Sequence, residues 1–166
     1  IIINSFSKYF CMTGWRLGWV VVPPLAIEPI TKLAQNLFIS PSTPAQYAAL
    51  AAFDEDAMTI HGQRKDAFVQ RAARLSDGLQ RLGFRIPVAP DGAFYLYVDI
   101  SHTGMNSMDF CWRLIDEFQV AVTPGADFGE HNADHFVRFA YTTHLEAIEL
   151  GLERIEAALT AWGVNT

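Results

Sequence analysis

A long helical pattern near the middle of the chain restricts its possible folds more than any other feature. Apolar residues recur at helical spacing from Met58 to Leu82, acidic residues 54–56 precede them, and Gly83 follows them. Acidic side chains favour the start of a helix, and glycine favours its end. A helix over residues 55–82 would be about 40 Å long at 1.5 Å per residue. Because that length exceeds one small core, we expect this helix to bridge two layers or domains.

Short apolar runs and turn-forming residues predict the other elements. The predicted strands are residues 1–3, 17–22, 84–86, 94–100, 120–122 and 136–141. The predicted helices, besides the long one, are residues 25–38, 45–53, 107–118 and 145–162. We expect Asp91 and Gly92 to form the turn between the third and fourth strands, which pair antiparallel, and Ser107 to be an N-cap. The chain is therefore expected to be α/β: helices cover a small, mainly antiparallel sheet, and residues 1–22 form the edge of another sheet.

The charge balance and the cysteine content exclude several classes of function. Twelve Lys and Arg residues against 18 Asp and Glu residues give a net charge of −6, which disfavours binding to duplex nucleic acid. Cys11 and Cys111 do not form a C-x-x-C pair and cannot make a thiolate metal site. The longest apolar stretch, residues 19–27, contains two prolines and is shorter than the ~20 residues that span a bilayer. We therefore expect a cytoplasmic protein with no nucleic-acid or membrane partner.

Residues 5–18 carry the densest set of chemically useful side chains. Lys8 lies among aromatic residues, and Arg16 follows it in the same segment. Desolvation and a neighbouring cation both favour the neutral form of an amine, which can attack a carbonyl group. Ser5 and Arg16, together with the amides of a glycine-bearing loop, can donate hydrogen bonds to an oxyanion. An amine nucleophile beside a phosphate clamp indicates a phosphorylated aldehyde as the ligand.

This segment resembles the class I/II, fold-type I pyridoxal-phosphate aminotransferases. Their signature is a small residue, an apolar residue, a small residue and Lys, followed eight positions later by Arg and two further on by Gly. The matching positions are Ser5, Ser7, Lys8, Arg16 and Gly18. Cys11 departs from the small Ala, Gly or Ser that is usual there. Other stretches that agree with the family, in order, are residues 40–46, 90–95, 123–129 and 137–140.

The resemblance implies a cofactor, substrates and roles for four residues. Pyridoxal phosphate would be the cofactor, and an L-amino acid and a 2-oxo acid would be the substrates of transamination. The residue matching Lys8 would form the internal aldimine with the cofactor and then move the proton of the reaction. Ser5 and Arg16 would bind the cofactor phosphate, and Arg138 would bind the substrate α-carboxylate as a bidentate pair. The implied protein is a homodimer.

The resemblance also implies how the chain divides. It corresponds to the C-terminal portion of such an enzyme, and its start at Ile1 without Met or signal peptide agrees with a fragment. Residues 1–24 would be the remnant of the large pyridoxal-phosphate-binding domain with the lysine loop. Residues 25–53 would be interdomain helices, and residues 54–166 the C-terminal small domain with the long bridging helix. Because the family's other cofactor-binding residues lie upstream of the lysine strand, we expect this fragment to be inactive by itself.

Two alternatives to this interpretation are left open, and a third is disfavoured. A C–S or other β-lyase could use the same fold, and an aminotransferase-like effector domain of a transcriptional regulator would have the fold without catalysis. His131 and His135 are four residues apart and could hold a metal on a helix. The neighbouring Gly129, Asn132 and Asp134 favour a solvated loop instead, so we expect no metal site.

Overall fold

Five α-helices and five short strands lie within residues 1–164, which are the part of the chain that the computed structural model describes. The helices are α1 (Pro24–Leu37), α2 (Thr43–Ala51), α3 (Glu55–Arg81), α4 (Ser107–Phe118) and α5 (Leu145–Ala161). The strands are β1 (Ile2–Ser5), β2 (Gly18–Val21), β3 (Tyr95–Asp99), β4 (Thr123–Pro124) and β5 (Phe136–Ala140). The chain divides into two compact units between Lys65 and Asp66, within α3.

The first unit contains β1, β2, α1, α2 and the beginning of α3. β1 and β2 pair antiparallel, with Ile2 opposite Val21 and Ser5 opposite Gly18. A small core forms around Phe6, whose ring centroid lies 4.9 Å from those of both Phe10 and Trp19. α1 has no buried residue, so this core depends on the loop aromatics and on α2.

The second unit is built on a three-stranded antiparallel sheet in the order β3-β5-β4. Side chains alternate between the two faces of a strand, and on β5 this alternation buries Val137 and Phe139. Leu96 and Val98 of β3 are buried with them. Helices α3, α4 and α5 supply the rest of this core, including the fully buried Leu79, Phe110, Leu114 and Leu159. Each such side chain stabilises the unit by roughly 1.5–3 kcal/mol relative to an exposed one.

The structure confirms the predicted fold class, an α/β chain in which helices cover a small antiparallel sheet. All five predicted helices are present, with ends within two residues of the predicted ones. The predicted domain boundaries at residues 24 and 53 concern the division of a longer protein and stay predictions.

The predicted antiparallel pair between residues 84–86 and 94–100 is wrong. Residues 84–86 form no strand and make a single bridge, between Arg85 and Asp99, and β3 pairs with β5 instead. Pro87 and Pro90 follow this segment, and proline has no amide hydrogen to continue a ladder. Residues 84–86 therefore do not pair with β3 as a strand, although they come shortly before it in the chain.

Two further expectations in this unit need correction. The N-cap of α4 is Asn106, whose side-chain oxygen accepts a hydrogen bond from the Asp109 amide at 2.8 Å. The expected cap, Ser107, lies one residue inside the helix and is fully buried. The strand predicted at residues 120–122 lies at Thr123–Pro124, because pairing with β5 begins only where Thr123 faces Arg138.

A buried carboxylate joins β3 to the segment before it. Asp99 accepts hydrogen bonds from the Ser101 amide at 2.8 Å and from Arg85 Nε at 3.0 Å, and Arg85 Nη2 donates to the same oxygen as Nε. Burial by itself would raise the pKa of Asp99, but these hydrogen bonds outweigh it and lower the pKa from 3.8 to about 2. The ionised form of Asp99 is therefore bound into the fold.

We expect Asp99 to make the second unit sensitive to acid. Because its pKa is lower in the folded than in the unfolded state, its contribution is complete above about pH 4 and is lost as the pH falls toward 2. Asp99→Asn should lower the free energy of unfolding at pH 7 by about 2 kcal/mol and remove most of that pH dependence. Urea unfolding at pH 7, 4 and 2.5 measures both effects. The exposed Asp116→Asn is the control, and equal pH curves for the two variants would contradict this assignment.

Candidate functional site

The loop between β1 and β2 carries the predicted site residues of the first unit. Backbone hydrogen bonds fold it back on itself, since the amide of Cys11 donates to the Lys8 carbonyl at 2.9 Å and that of Met12 donates to the Phe6 carbonyl at 3.1 Å. Cys11 closes the turn with a φ of 55°, in the left-handed region that glycine adopts more easily. Lys8 therefore lies in a tight turn between the two paired strands.

A chain of hydrogen bonds joins Ser5 to Arg16 across this loop. Ser5 Oγ donates to Ser7 Oγ at 2.9 Å, and the Ser7 amide donates back to Ser5 Oγ at 3.0 Å. Thr13 Oγ1 donates to the Ser7 carbonyl at 2.6 Å, and Arg16 Nη1 donates to the Thr13 carbonyl at 2.9 Å. The two predicted phosphate-binding residues thus belong to one network through Thr13, to which the sequence analysis assigned no role.

Arg16 borders a cavity of about 590 Å³ in the first unit. Gly14, Trp15, Ser40 and Ser42 also line this cavity. Arg16 has a φ of 52°, and such a conformation costs a residue with a side chain roughly 1–2 kcal/mol. Hydroxyl and guanidinium donors suit a phosphate oxygen, and the Lys8 amine suits an aldehyde. The donor set present therefore fits pyridoxal phosphate.

Lys8 is followed in the chain by two aromatic residues that pack against a buried histidine. Its side chain is exposed, whereas the sequence pattern predicted a partly desolvated amine. The rings of the next two residues, Tyr9 and Phe10, each lie 5.4 Å from the ring of His61 on α3. His61 is buried, and neither of its ring nitrogens has a hydrogen-bond partner within residues 1–164. Sequence analysis did not identify His61, because no motif links it to the loop.

Arg138 lies in the second unit, on the face of β5 that points away from the core. Its cross-strand partners are Tyr97 on β3 and Thr123 on β4. Arg138 Nη2 donates to Thr123 Oγ1 at 3.2 Å, while the buried Nε has no partner within the described residues. Because Nε is buried, a carboxylate can reach only the terminal nitrogens of Arg138. This arrangement fits the predicted role of Arg138 in binding the substrate α-carboxylate. The structure thus places Ser5, Lys8 and Arg16 in one unit and Arg138 in the other.

A close backbone turn follows β4 beside Arg138. A Cβ atom on Gly125 would lie 2.3 Å from the Ala133 carbonyl oxygen and 2.6 Å from that of Phe136. It would also lie 2.8 Å from the Tyr97 hydroxyl oxygen. Only glycine fits this position without moving the backbone, which explains one residue of the motif at 123–129.

Neither a cluster of metal-ligating side chains nor a membrane-spanning helix is found among the described residues. Within residues 1–164, no three His, Cys, Asp or Glu side chains are close enough to hold a metal ion. His135 is the last residue of a 3-10 turn that covers Ala133–His135, and His131 lies just before that turn. In the same part of the chain, no helix combines the length and the apolar character needed to cross a bilayer.

Burial raises the pKa of the Cys111 thiol to about 12, so this buried cysteine is not a reactive thiolate at neutral pH.

Comparison with known sequences gives a match over nearly the whole chain. The family model described as aminotransferase class I and II matches residues 1–155. The valine–pyruvate aminotransferase of Mycobacterium tuberculosis is 37% identical over 155 residues, which cover 93% of this chain and 40% of that protein. The (5-formylfuran-3-yl)methyl phosphate transaminase of Methanocaldococcus jannaschii is 38% identical over 159 residues, which cover 96% of this chain and 42% of that protein. The chain therefore spans about two fifths of the length of the curated relatives it matches.

Solved structures agree with the sequence matches. An aminotransferase from Mycobacterium tuberculosis superimposes with a TM-score of 0.91 at 38% identity, over 96% of this chain and 41% of that one. An aromatic aminotransferase from Pyrococcus horikoshii gives a TM-score of 0.90 at 36% identity, over 98% of this chain and 43% of that one. The fold and the sequence therefore point to the same relatives.

We expect Gly125→Ala and Gly151→Ala to have opposite effects on stability. The Cβ at position 125 would meet two backbone oxygens, so this variant should lower the free energy of unfolding by roughly 2–3 kcal/mol. The Cβ at position 151, on α5, would meet no atom within 4 Å, and alanine should raise helix stability there by up to about 1 kcal/mol. Thermal and urea unfolding measure the difference. Equal stability of the two variants would show that the turn at Gly125 can relax.

Proposed function

The chain belongs to the aminotransferase class I and II family, and on that premise we propose that the protein containing it is a transaminase. It would transfer the amino group of an L-amino acid to a 2-oxo acid with pyridoxal phosphate as cofactor. The observation that carries this proposal is the lysine turn, in which Lys8 lies between Ser5 and Arg16 within one hydrogen-bonded loop. The relatives named above are all aminotransferases or transaminases, which favours transamination over a lyase reaction.

Lys8 is the proposed catalytic residue. Bound pyridoxal phosphate supplies an electron sink for the substrate α-carbon. Lys8 would hold the aldehyde carbon of the cofactor through Nζ, and the same nitrogen would move the proton at the substrate α-carbon. The turn that closes at Cys11 fixes the backbone of Lys8, so that the position of the amine depends mainly on its own side-chain torsions.

Ser5 and Arg16 are the proposed phosphate-binding residues. A hydroxyl and a guanidinium donate charge-assisted hydrogen bonds to phosphate oxygens. The hydrogen bond from Arg16 Nη1 to the Thr13 carbonyl occupies one donor of the guanidinium and holds it over the loop. Thr13 is held in turn through Ser7, so the network orients the Arg16 guanidinium before the phosphate binds. The Ser5 hydroxyl, which donates to Ser7 Oγ, would turn its hydrogen to the phosphate on binding.

Arg138 is the proposed binding residue for the substrate carboxylate. A planar guanidinium presents two parallel donors to a carboxylate, which an ammonium group cannot do. Its position on β5, between strands on both sides, gives it a rigid base. Because an amino acid and a 2-oxo acid both carry an α-carboxylate, one arginine would serve both halves of the reaction.

The proposal concerns a protein longer than this chain, since the chain spans about two fifths of its curated relatives. We propose that residues 1–24 contribute the lysine loop to a larger cofactor-binding domain. Residues 25–53 would connect it to the small domain formed by residues 54–166. By family, the assembled enzyme would be a homodimer in the cytoplasm, and this fragment would be inactive by itself.

We expect Lys8→Ala to abolish transamination. In the protein that contains this chain, loss of Nζ removes both the cofactor attachment and the proton carrier, so the rate should fall at least 100-fold. The absorption band of lysine-bound cofactor should disappear, while Ser5 and Arg16 retain part of the noncovalent cofactor binding. Lys32→Ala, which removes only an exposed ion pair with Glu28, is the control. A Lys8→Ala protein that transaminates at the parental rate would exclude Lys8 from the mechanism.

We expect Arg138→Lys to weaken substrate binding selectively. A point-charge ammonium loses the second parallel hydrogen bond, so KM for the amino acid and the 2-oxo acid should rise roughly tenfold or more. The absorption spectrum of the resting cofactor should not change. Arg154→Lys is the control, because Arg154 donates to the Gln119 carbonyl on the surface. An unchanged KM would show that Arg138 is structural only.

A further inference from the structure

An aromatic cluster surrounds Arg138 on the outer face of the sheet, and the proposed function does not yet use it. Arg138 Cζ lies 4.9 Å from the ring centroid of Phe128 and 5.5 Å from that of Tyr95. Both distances are within the range of a cation–π interaction, in which a ring face attracts a cation. The guanidinium is therefore held by two rings and by the Thr123 hydroxyl.

Phe128 is braced by its backbone and by a neighbouring ring. Its backbone amide donates to the Gly125 carbonyl at 2.9 Å, which fixes the residue to the close turn. Its ring meets that of Tyr97 edge to face, at 6.1 Å and 89°. The Tyr97 ring stacks on that of Phe136 at 4.9 Å and 8°. The row Phe136, Tyr97, Phe128 thus leads from the sheet to the guanidinium.

Phe128 is nevertheless not a core residue. Half of its surface, 50%, is exposed, so the core of the second unit does not explain a large aromatic side chain at this position. Within the described residues, no hydrogen bond to a carboxylate orients Arg138, and its Nε has no partner. A guanidinium without such a partner can rotate about its side-chain torsions unless a packed surface restrains it. The Phe128 ring is the nearer of the two ring faces that supply this restraint.

We propose that Phe128 is a positioning residue for Arg138. Its ring face fixes the plane of the guanidinium, so that the terminal nitrogens meet a carboxylate in the bidentate geometry without reorganisation. This inference rests on the proposed function, because it assumes that the ligand of Arg138 is the substrate carboxylate. A cation–π contact of this kind changes affinity roughly 3- to 30-fold.

The test compares two substitutions at this position in the protein that contains this chain. Phe128→Leu keeps an apolar side chain and removes the ring, whereas Phe128→Tyr keeps the ring and serves as the matched control. We expect Phe128→Leu to raise KM about five- to tenfold for both the amino acid and the 2-oxo acid. It should change kcat less than twofold and leave the cofactor absorption spectrum unchanged. Phe128→Tyr should keep the parental KM for both substrates.

A double-mutant comparison separates positioning from a general distortion of the pocket. In an Arg138→Gln background, Phe128→Leu should raise KM no further, because the guanidinium that it orients is gone. A parental KM for Phe128→Leu, or an equal increase in both backgrounds, would overturn the inference. If Arg138→Lys itself leaves KM unchanged, the proposed carboxylate site fails instead. A raised KM for Arg138→Lys with a parental KM for Phe128→Leu would reject the positioning role alone.

Discussion

Burial of apolar side chains beneath one face of a small sheet is the interaction on which the second unit depends. Val137 and Phe139 of β5 are buried together with residues of three helices. Because successive side chains on a strand point to opposite faces, the same five residues that complete the core also display Arg138 on the other side. The stability of this unit and the orientation of its proposed carboxylate site therefore have one origin.

In the first unit, polar groups rather than a large core hold the side chains of the proposed site in place. Its buried apolar cluster is small, and the loop that carries Lys8 combines this cluster with hydrogen bonds within the loop. Two of its residues, Cys11 and Arg16, have left-handed backbone conformations that are unfavourable for residues other than glycine. The bonds through Ser7 and Thr13 hold the Arg16 guanidinium in place. Such preorganisation reduces the entropy that is lost when a phosphate binds.

Sequence patterns predicted the helices well because amphipathic spacing is a local property. Strand pairing was predicted less well, since the partner of β3 is β5, some 40 residues away, rather than the neighbouring segment around Arg85. The same distinction applies to the candidate site. Lys8 could be identified from a motif with fixed spacing, whereas His61 and Phe128 gain their significance only from contacts made in three dimensions. No local pattern of residues encodes such contacts.

The alternation along β5 makes the length of this strand as important as its composition. Insertion or deletion of one residue within β5 would shift the register, turning Arg138 toward the core and Val137 toward solvent. A charged guanidinium without a partner in an apolar interior costs several kcal/mol, which is comparable to the whole stability of a small domain. A conservative exchange of one apolar residue for another would cost far less. Relatives of this chain should therefore differ in the identity of the inward-facing residues of β5 much more readily than in the number of residues between its two ends.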